Sequence, residues 1–416
     1  DPTIDPGTVE GLCYIYHYDY RNRLIEKKIP GKKDWDYIIY NKLDLPVLTQ
    51  DGKQRLDGLW LFTKYDAFGR VIYTGTYKNE HDRHYIQNTL VNNQSIQFET
   101  KTSTAITMYD DTDVFYTKVS FPHNGEQEVF TITYYDDYSF DIPTELGSFQ
   151  NPYNQTVPTN TKTLVTGSKI RVLDTEKWIT SVNYYDKEAR PIYITSYNDY
   201  LNTVDKVSSH LDFVGRVKET VSTHVKDGST PLIVKDSFTY DHIGRLLTQV
   251  QTIGDNEELI VNNHYDELGQ LESKKVGGAV SSIVEQSVGL QTIDYSYNIR
   301  GWLKTINNDT FTDNDLFNFG LSYNDPVDSN NPLYNGNISE TSWETVNDNN
   351  LRGYDYSYDA LNRLKLANYH GYNQAENYSL VATLDNPEGV MYDKNGNIIR
   401  LTRMGLKEVS NQMGTI

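Results

Sequence analysis

"YDAFGRVIYTGTY", residues 65–77, opens on Tyr-Asp, places a glycine fifth, and runs on as a β-rich tail. Nearly the same phrase returns as "YDHIGRLLTQVQT" at Tyr240 and "YDELGQLESKKVGG" at Tyr265. A chain that repeats one phrase at near-regular intervals builds its structure by stacking one supersecondary unit.

Lining up the copies gives ten phrases. "YDYRNRLIEKKIPG" starts at Tyr18, "YNKLDLPVLTQDG" at Tyr40 and "YDAFGRVIYTG" at Tyr65. After a gap come "YDKEARPIYIT" at Tyr185, "LDFVGRVKET" at Leu211, and the phrases at Tyr240 and Tyr265. "YNIRGWLKTI" at Tyr297, "YDALNRLKLAN" at Tyr358 and "YDKNGNIIRLTR" at Tyr392 complete the set. The shared form is Tyr-Asp-x-x-Gly/Asn-Arg-Leu/Val followed by polar alternation. In each, Tyr ends an incoming strand, Asp and the next two residues form the turn, and the fifth residue needs a positive φ. Arg and an aliphatic residue then start the returning strand, so each phrase reads as a β-hairpin. Asp51-Gly52, Asp227-Gly228, Asn335-Gly336 and Asn395-Gly396 read as further turns. A lone hairpin cannot bury its face, so the repeat implies a continuous antiparallel sheet. The recurring Tyr and Asp, at equal positions, are expected to form ladders along it.

The residues assigned to these structural turns are Tyr18 and Asp19; Tyr65, Asp66, Gly69 and Arg70; and Tyr185 and Asp186. Further along they are Tyr240, Asp241, Gly244 and Arg245, then Tyr265, Asp266 and Gly269. Tyr358, Asp359, Asn362 and Arg363, then Tyr392, Asp393 and Gly396, close the series.

The organisation expected is N-terminal repeats over 1–80, a degenerate or inserted β section over 81–180, and a repeat array over 181–416. The middle section holds β-type runs such as "SIQFET" and "VFTITYYDDYSF" and no phrase apart from "YYDDYSF". "FQNPYNQTVPTN" reads as a loop, and residues 307–350, rich in Asn and Asp, as a long surface excursion. The best helix signal is "NGNISETSWETVN".

Composition narrows the function classes. The 416 residues are 37% hydrophobic, with 34 Tyr against 13 Phe. A Tyr ring buries while its hydroxyl keeps a polar partner, so thin, half-wet sheets are expected rather than one thick core. Asp and Glu number 57 against 38 Lys and Arg, a net charge of −19. That opposes phosphate binding and docking on an anionic membrane. No apolar run approaches the ~20 residues of a membrane-spanning helix. Cys13 is the single cysteine, so no intrachain disulfide forms. The opening "DPTIDPGTVEG" reads as a mature or internal start and "NQMGTI" as an abrupt end, as in a fragment of something longer.

The phrases resemble the YD repeats of the RHS (rearrangement hotspot) family, whose signature is YDxxGR(L/V). The match extends from about Tyr14 to Arg403, apart from the middle section. The style of "YDALNRLKLANYHG" and "VMYDKNGNIIRLTRMG" is similar to long RHS proteins of Bacteroidetes-type bacteria. The resemblance implies an all-β fold in which an extended antiparallel sheet of hairpins spirals into a hollow shell, or part of one. It implies a non-catalytic, secreted or cell-surface scaffold that encloses or displays a C-terminal toxin or cargo module of the same polypeptide, as in polymorphic toxins. Bacterial secretion machinery or cell-surface partners would go with that role. The alternative is a secreted adhesin, since similar repeats occur in adhesive proteins and in animal teneurins. Some members carry an RHS-associated core with a self-cleaving aspartyl-type site. These residues contain no such core, and "YDKNGNIIRL" resembles the repeat before it.

Chemistry beyond the repeat is sparse. The sequence holds no HExxH, GxSxG, phosphate-binding glycine loop or CxxC. His81 and His84 in "HDRH" would face opposite sides of a strand. The acidic runs "YDDTD", "YYDDYSFD" and "DTFTDND" offer oxygen ligands for calcium without EF-hand spacing, and read as solvated loops. Trp35, Trp60, Trp178, Trp302 and Trp343 are candidates for stacking on sugars, but packing against the sheet is the stronger reading. No catalytic, cofactor or metal residues are assigned.

Overall fold

Turn chemistry and period-two alternation put most of this chain into strands. In the computed structural model, the described residues are 11–150, 153–158, 160–280, 290–307, 315–327, 331–371, 377–383, 389–407 and 412–415. They fall into two compact units, Asp1–Lys235 and Asp236–Ile416.

In the first unit the strands are β1 (Ile15–Tyr18), β2 (Leu24–Lys28), β3 (Asp36–Tyr40), β4 (Pro46–Gln50), β5 (Leu59–Tyr65), β6 (Val71–Lys78), β7 (Lys101–Thr107), β8 (Asp113–Tyr116), β9 (Gln127–Asp136), β10 (Thr161–Arg171), β11 (Trp178–Tyr185), β12 (Pro191–Asn198), β13 (Thr203–Leu211) and β14 (Val217–Lys226). Each pairs antiparallel with the next, except that β6 pairs with β9 because β7 and β8 form a hairpin of their own. The run continues from β9 through β14. β15 (Leu232–Tyr240) carries the unit boundary.

The second unit contains β16 (Leu246–Ile253), β17 (Asn256–Tyr265), β18 (Leu271–Val276), β19 (Gln291–Tyr297), β20 (Leu303–Ile306), β21 (Phe317–Ser322), β22 (Glu340–Thr345), β23 (Arg352–Tyr358) and β24 (Leu364–Gly371), again paired in sequence. Two small hairpins follow, β25 (Val390–Tyr392) with β26 (Ile398–Leu401) and β27 (Met404–Lys407) with β28 (Gln412–Thr415). All strands except β7, β8 and β25–β28 belong to one antiparallel sheet of 22 strands.

Three expectations need correction. "NGNISETSWETVN" is no helix: its centre is β22, where Thr341, Ser342 and Trp343 pair with Tyr354, Gly353 and Arg352. β-branched and aromatic side chains suit a pleated surface, and ladder bonds on both sides override the local signal. For the same reason 307–350 is no long excursion, because β21 and β22 extend the sheet through it. Asp51-Gly52 is not a hairpin turn but a helix start. Asp51 accepts the Gln54 N–H at 2.8 Å and Gln54 accepts the Asp51 N–H at 2.8 Å, a capping box on α1 (Gly52–Leu56).

The thin-sheet expectation fits only the second unit. There, among the described residues, the buried apolar side chains are Leu259, Val261, Tyr323, Ala367 and Val390. The first unit has a continuous core instead. Strands β3–β6 contribute Ile39, Leu48, Trp60, Phe62, Ile72 and Tyr73, all 0–1% exposed. Packed with them are Ile86 and Val91 from a single π-helical turn, Val114 and Tyr116 from β8, and Val129, Ile132 and Tyr134 from β9. The section without Tyr-Asp phrases therefore supplies an apolar layer that the phrases cannot. Stacked rings from Tyr116, Tyr134 and Phe140, with centroids 5.7 and 4.3 Å apart, run through it.

Candidate functional site: the linked Tyr-Asp turns

Each phrase closes its hairpin with the same set of bonds. At Asp66 the backbone N–H donates to the Arg70 carbonyl at 3.0 Å, and the Gly69 N–H donates back to the Asp66 carbonyl at 3.1 Å. This is a type I turn followed by a left-handed residue, one of the three-residue hairpin loops. The Asp66 side chain fixes it: Oδ1 takes the N–H groups of Phe68 and Arg70, each at 2.9 Å, and Oδ2 takes Arg70 Nε at 2.6 Å. An Asx side chain thus satisfies the donors that the turn leaves free. The pattern recurs at Asp19 with Arg23, Asp186 with Arg190, Asp212 with Arg216, Asp241 with Arg245 and Asp359 with Arg363, where Nε–Oδ2 is 2.6–2.7 Å. Asp393 makes the same contact with Asn397 at 2.8 Å. Asp266 keeps the backbone part, accepting the Gln270 N–H at 2.7 Å. Asn41 and Asn298 also keep only that part.

The fifth residue is left-handed in every phrase. φ is +77° at Gly69, +94° at Gly244, +85° at Gly269 and +87° at Gly396. Non-glycine residues hold the same place at Asn22 (+59°), Asp44 (+62°), Ala189 (+62°) and Asn362 (+61°).

A second set of bonds joins several turns to the turn before. Tyr40 donates its hydroxyl to the Leu24 carbonyl at 2.8 Å, and Tyr65 to the Pro46 carbonyl at 2.7 Å. Tyr265 reaches Leu246 at 3.0 Å, Tyr297 reaches Leu271 at 3.1 Å, and Tyr392 reaches Leu364 at 2.8 Å. In these five the acceptor is the seventh residue of the phrase before. In three of these rungs the sixth residue of that phrase is an Arg lying over the same Tyr ring: Arg23 over Tyr40, Arg245 over Tyr265 and Arg363 over Tyr392, at 4.9, 4.3 and 4.5 Å from the ring centres; before Tyr65 and Tyr297 the place is held by Leu45 and Gln270. Such contacts add to stability through the ring quadrupole. Burial raises the pKa of Tyr40, Tyr65, Tyr185 and Tyr358, which keeps these hydroxyls protonated as donors.

Two tyrosines outside the assigned phrases join the ladder. Tyr135 donates to Val71 at 3.0 Å and its ring carries Arg70 at 4.2 Å. Arg70 also forks onto Asp136 at 2.9 and 2.7 Å. The hydrogen bond from Arg70 lowers the Asp136 pKa. Tyr323 donates to Leu303 at 3.0 Å. Tyr185 and Tyr358 donate to Val165 and Ile338, again in stretches without a phrase. The adjacent pairs Tyr135-Asp136 and Tyr323-Asn324 are the sequence signal for these rungs.

No protein-family model matches the chain, and no curated protein matches it. Among solved structures it is similar to a crystal structure of TcdB2-TccC3 without the hypervariable C-terminal region, at 12% identity and a TM-score of 0.42, covering 97% of this chain and 17% of that one. It is also similar to TcdB2-TccC3-Cdc42 (10% identity, TM-score 0.30, 99% and 20% covered) and to TcdB2-TccC3-TEV (9%, 0.15, 98% and 25%). The chain spans a quarter or less of the length of each.

The other candidate groups are engaged in packing and pairing. The acidic runs bind side chains of this chain: Asp110 meets Arg171 at 2.8 Å, Asp137 meets Lys101 at 2.6 Å, and Asp141 pairs with Lys169. Most of "DTFTDND" lies outside the described residues. Among the described residues no group of three or more His, Cys, Asp or Glu converges as a metal site would. His81 packs at a tilt against Tyr85, with centroids 4.2 Å apart, and His84 Nε2 lies 3.2 Å from Arg83 Nη2. Trp35 stacks on His17, Trp302 packs on Tyr323 and Trp343 on Tyr354; Trp60 is in the core and Trp178 lies under Arg171.

One polar cluster has no sequence signal. Lys64 on β5 and Glu99 are both 0% exposed and paired at 2.9 Å. Glu99 also accepts from the N–H groups of Val119 and Ser120 and from the hydroxyls of Thr117 and Ser120. Burial lowers the Lys64 pKa, and Glu99 opposes that shift. The pair ties the extra layer to the sheet.

Proposed function

We propose that this chain is a non-catalytic β-scaffold, a section of wall in a YD-repeat shell that encloses or displays a module of the same polypeptide. The observation that carries the reading is the double key between successive turns, Arg over ring and Tyr hydroxyl to carbonyl. Where both parts are present, it links successive hairpins in addition to the backbone pairing of their strands. The turn carboxylates Asp19, Asp66, Asp186, Asp241 and Asp359 are each held by the Arg four residues on, a structural use of the repeated charge. The resemblance of the phrases to YD repeats supports the same role.

The test is protease protection of the full-length polypeptide. Enclosure predicts that the module is cut slowly while this section is folded and rapidly once the section is denatured. Equal cleavage in both states, together with binding of this section to glycans or cell surfaces, would replace the reading with an adhesin scaffold.

A further inference from the structure

In the second unit, one face of β20–β24 carries a trough that the turns do not use. Register defines its floor: Thr305 pairs with Gly320, Gly320 with Ser342, Ser342 with Gly353, and Gly353 with His370. Small residues therefore cross successive strands in one row. Alternation puts residues two places along on the same face. The flanking rows hold Ser322, Glu340 and Asp355 on one side, and Asn318 and Glu344 on the other. Adjoining cavities of about 260 and 240 Å³ share Glu340, Ser342 and Leu351.

Asn318 marks the trough as a site. It is 6% exposed, it lines the larger cavity, and neither Nδ2 nor Oδ1 has a hydrogen-bond partner among the described residues. Buried amides are nearly always paired, and an orphaned one is unfavourable. A peptide group satisfies both ends at once, its carbonyl accepting from Nδ2 and its N–H donating to Oδ1. The flanking rows add the carboxylates Glu340, Glu344 and Asp355. Glu340 takes the Val327 N–H at 2.8 Å, and Asp355 takes Asn368 Nδ2 at 3.0 Å and pairs with His370. Arg352, at the end of the smaller cavity, is held by Asp348 at 2.6 Å. Phe319 and Trp343 pair with each other one residue out of step with the Gly320–Ser342 row, and both also border the larger cavity.

We propose that the trough binds an extended basic peptide segment, with a backbone amide on Asn318 and a Lys or Arg side chain beside Glu340 and Glu344. Charge complementarity favours the cation, and the unpaired amide favours a peptide over a simple polyamine.

The experiment is fluorescence anisotropy with a labelled, blocked tetra-arginine peptide at physiological ionic strength. Asn318→Ala leaves the net charge unchanged and is expected to weaken binding about 10-fold or more. Glu344→Gln is expected to weaken it similarly, and Glu257→Gln, on an exposed strand position, to leave it unchanged. Ser342→Leu fills the floor and gives an independent block if Asn318→Ala fails to fold. Equal affinity for wild type, Asn318→Ala and Ser342→Leu would overturn the site, leaving only attraction to an acidic surface. No binding by the wild type, or displacement of the peptide by a neutral oligosaccharide, would overturn it as well.

Discussion

The guanidinium of Arg245 lies 4.3 Å from the centre of the Tyr265 ring, and the Tyr265 hydroxyl donates to the carbonyl of Leu246, the residue after Arg245. Two neighbouring turns are thereby held at two adjacent residues. Tyr265→Phe removes one hydrogen bond and is expected to cost about 1 kcal/mol. Arg245→Ala removes the ring contact and the Asp241 pair together. A denaturation cycle over the two single variants and the double variant should show coupling of about 0.5–1 kcal/mol. Strictly additive values would mean the turns are not keyed through this pair.

Asp241 tests the turn itself. Asp241→Ala leaves the N–H groups of Ile243 and Arg245 without their Oδ1 acceptor and frees Arg245. Asp241→Asn keeps an acceptor there, as Asn41 and Asn298 do in their own phrases. The expected order of melting temperatures is wild type, then Asp241→Asn, then Asp241→Ala. An unchanged melt for Asp241→Ala would remove the turn side chain from the account.

Left-handed positions give predictions of opposite sign. Ala189 sits at φ +62°, where a Cβ costs roughly 1–2 kcal/mol. Ala189→Gly should therefore stabilise the first unit by about 0.5–1 kcal/mol after the extra freedom of glycine in the unfolded chain is subtracted. Gly269→Ala should destabilise by about 1–2 kcal/mol. Its Cβ would also lie 2.9 Å from Arg245 Nη1 and push that group off Tyr265. Denaturant midpoints decide both.

The buried pair is a separate load on the first unit. Lys64→Met leaves Glu99 charged and 0% exposed, at an expected cost of about 3–5 kcal/mol. A melting temperature within a degree or two of wild type would show the layer to be held by apolar packing alone.

Acid should loosen the ladder. At Asp136 the Arg70 hydrogen bond lowers the pKa below 3.8. At Asp241 burial raises it, but the hydrogen bonds from Arg245 outweigh that, and the net shift is again downward from 3.8. At Asp359 the backbone N–H of Arg363 leads the lowering. A depressed folded pKa means the folded chain binds fewer protons than the unfolded chain. The stabilisation is complete above about 3.8 and is lost as pH falls through the folded values. Melting temperature should drop along that limb, and Asp136→Asn should flatten it.

The turns were legible because their chemistry is local: Asp serves N–H groups two and four residues on, and the fifth residue must turn left-handed. The ladder was legible only as an expectation, since Tyr265 and Leu246 are 19 residues apart and the acceptor is a backbone carbonyl that any residue supplies. The core of the first unit was not. Lys64 and Glu99 look like ordinary surface residues in sequence, and only the layer folded from 81–180 removes them from water. β21 and β22 were missed because Asn- and Asp-rich flanks mask strands whose partners are set by the ladder.

The most direct measurement is electron cryomicroscopy of the full-length polypeptide. These strands are expected to form a wall, with density for the remaining module against or behind it. A folded sheet whose module lies free in solution, with no wall around or beside it, would contradict the proposal.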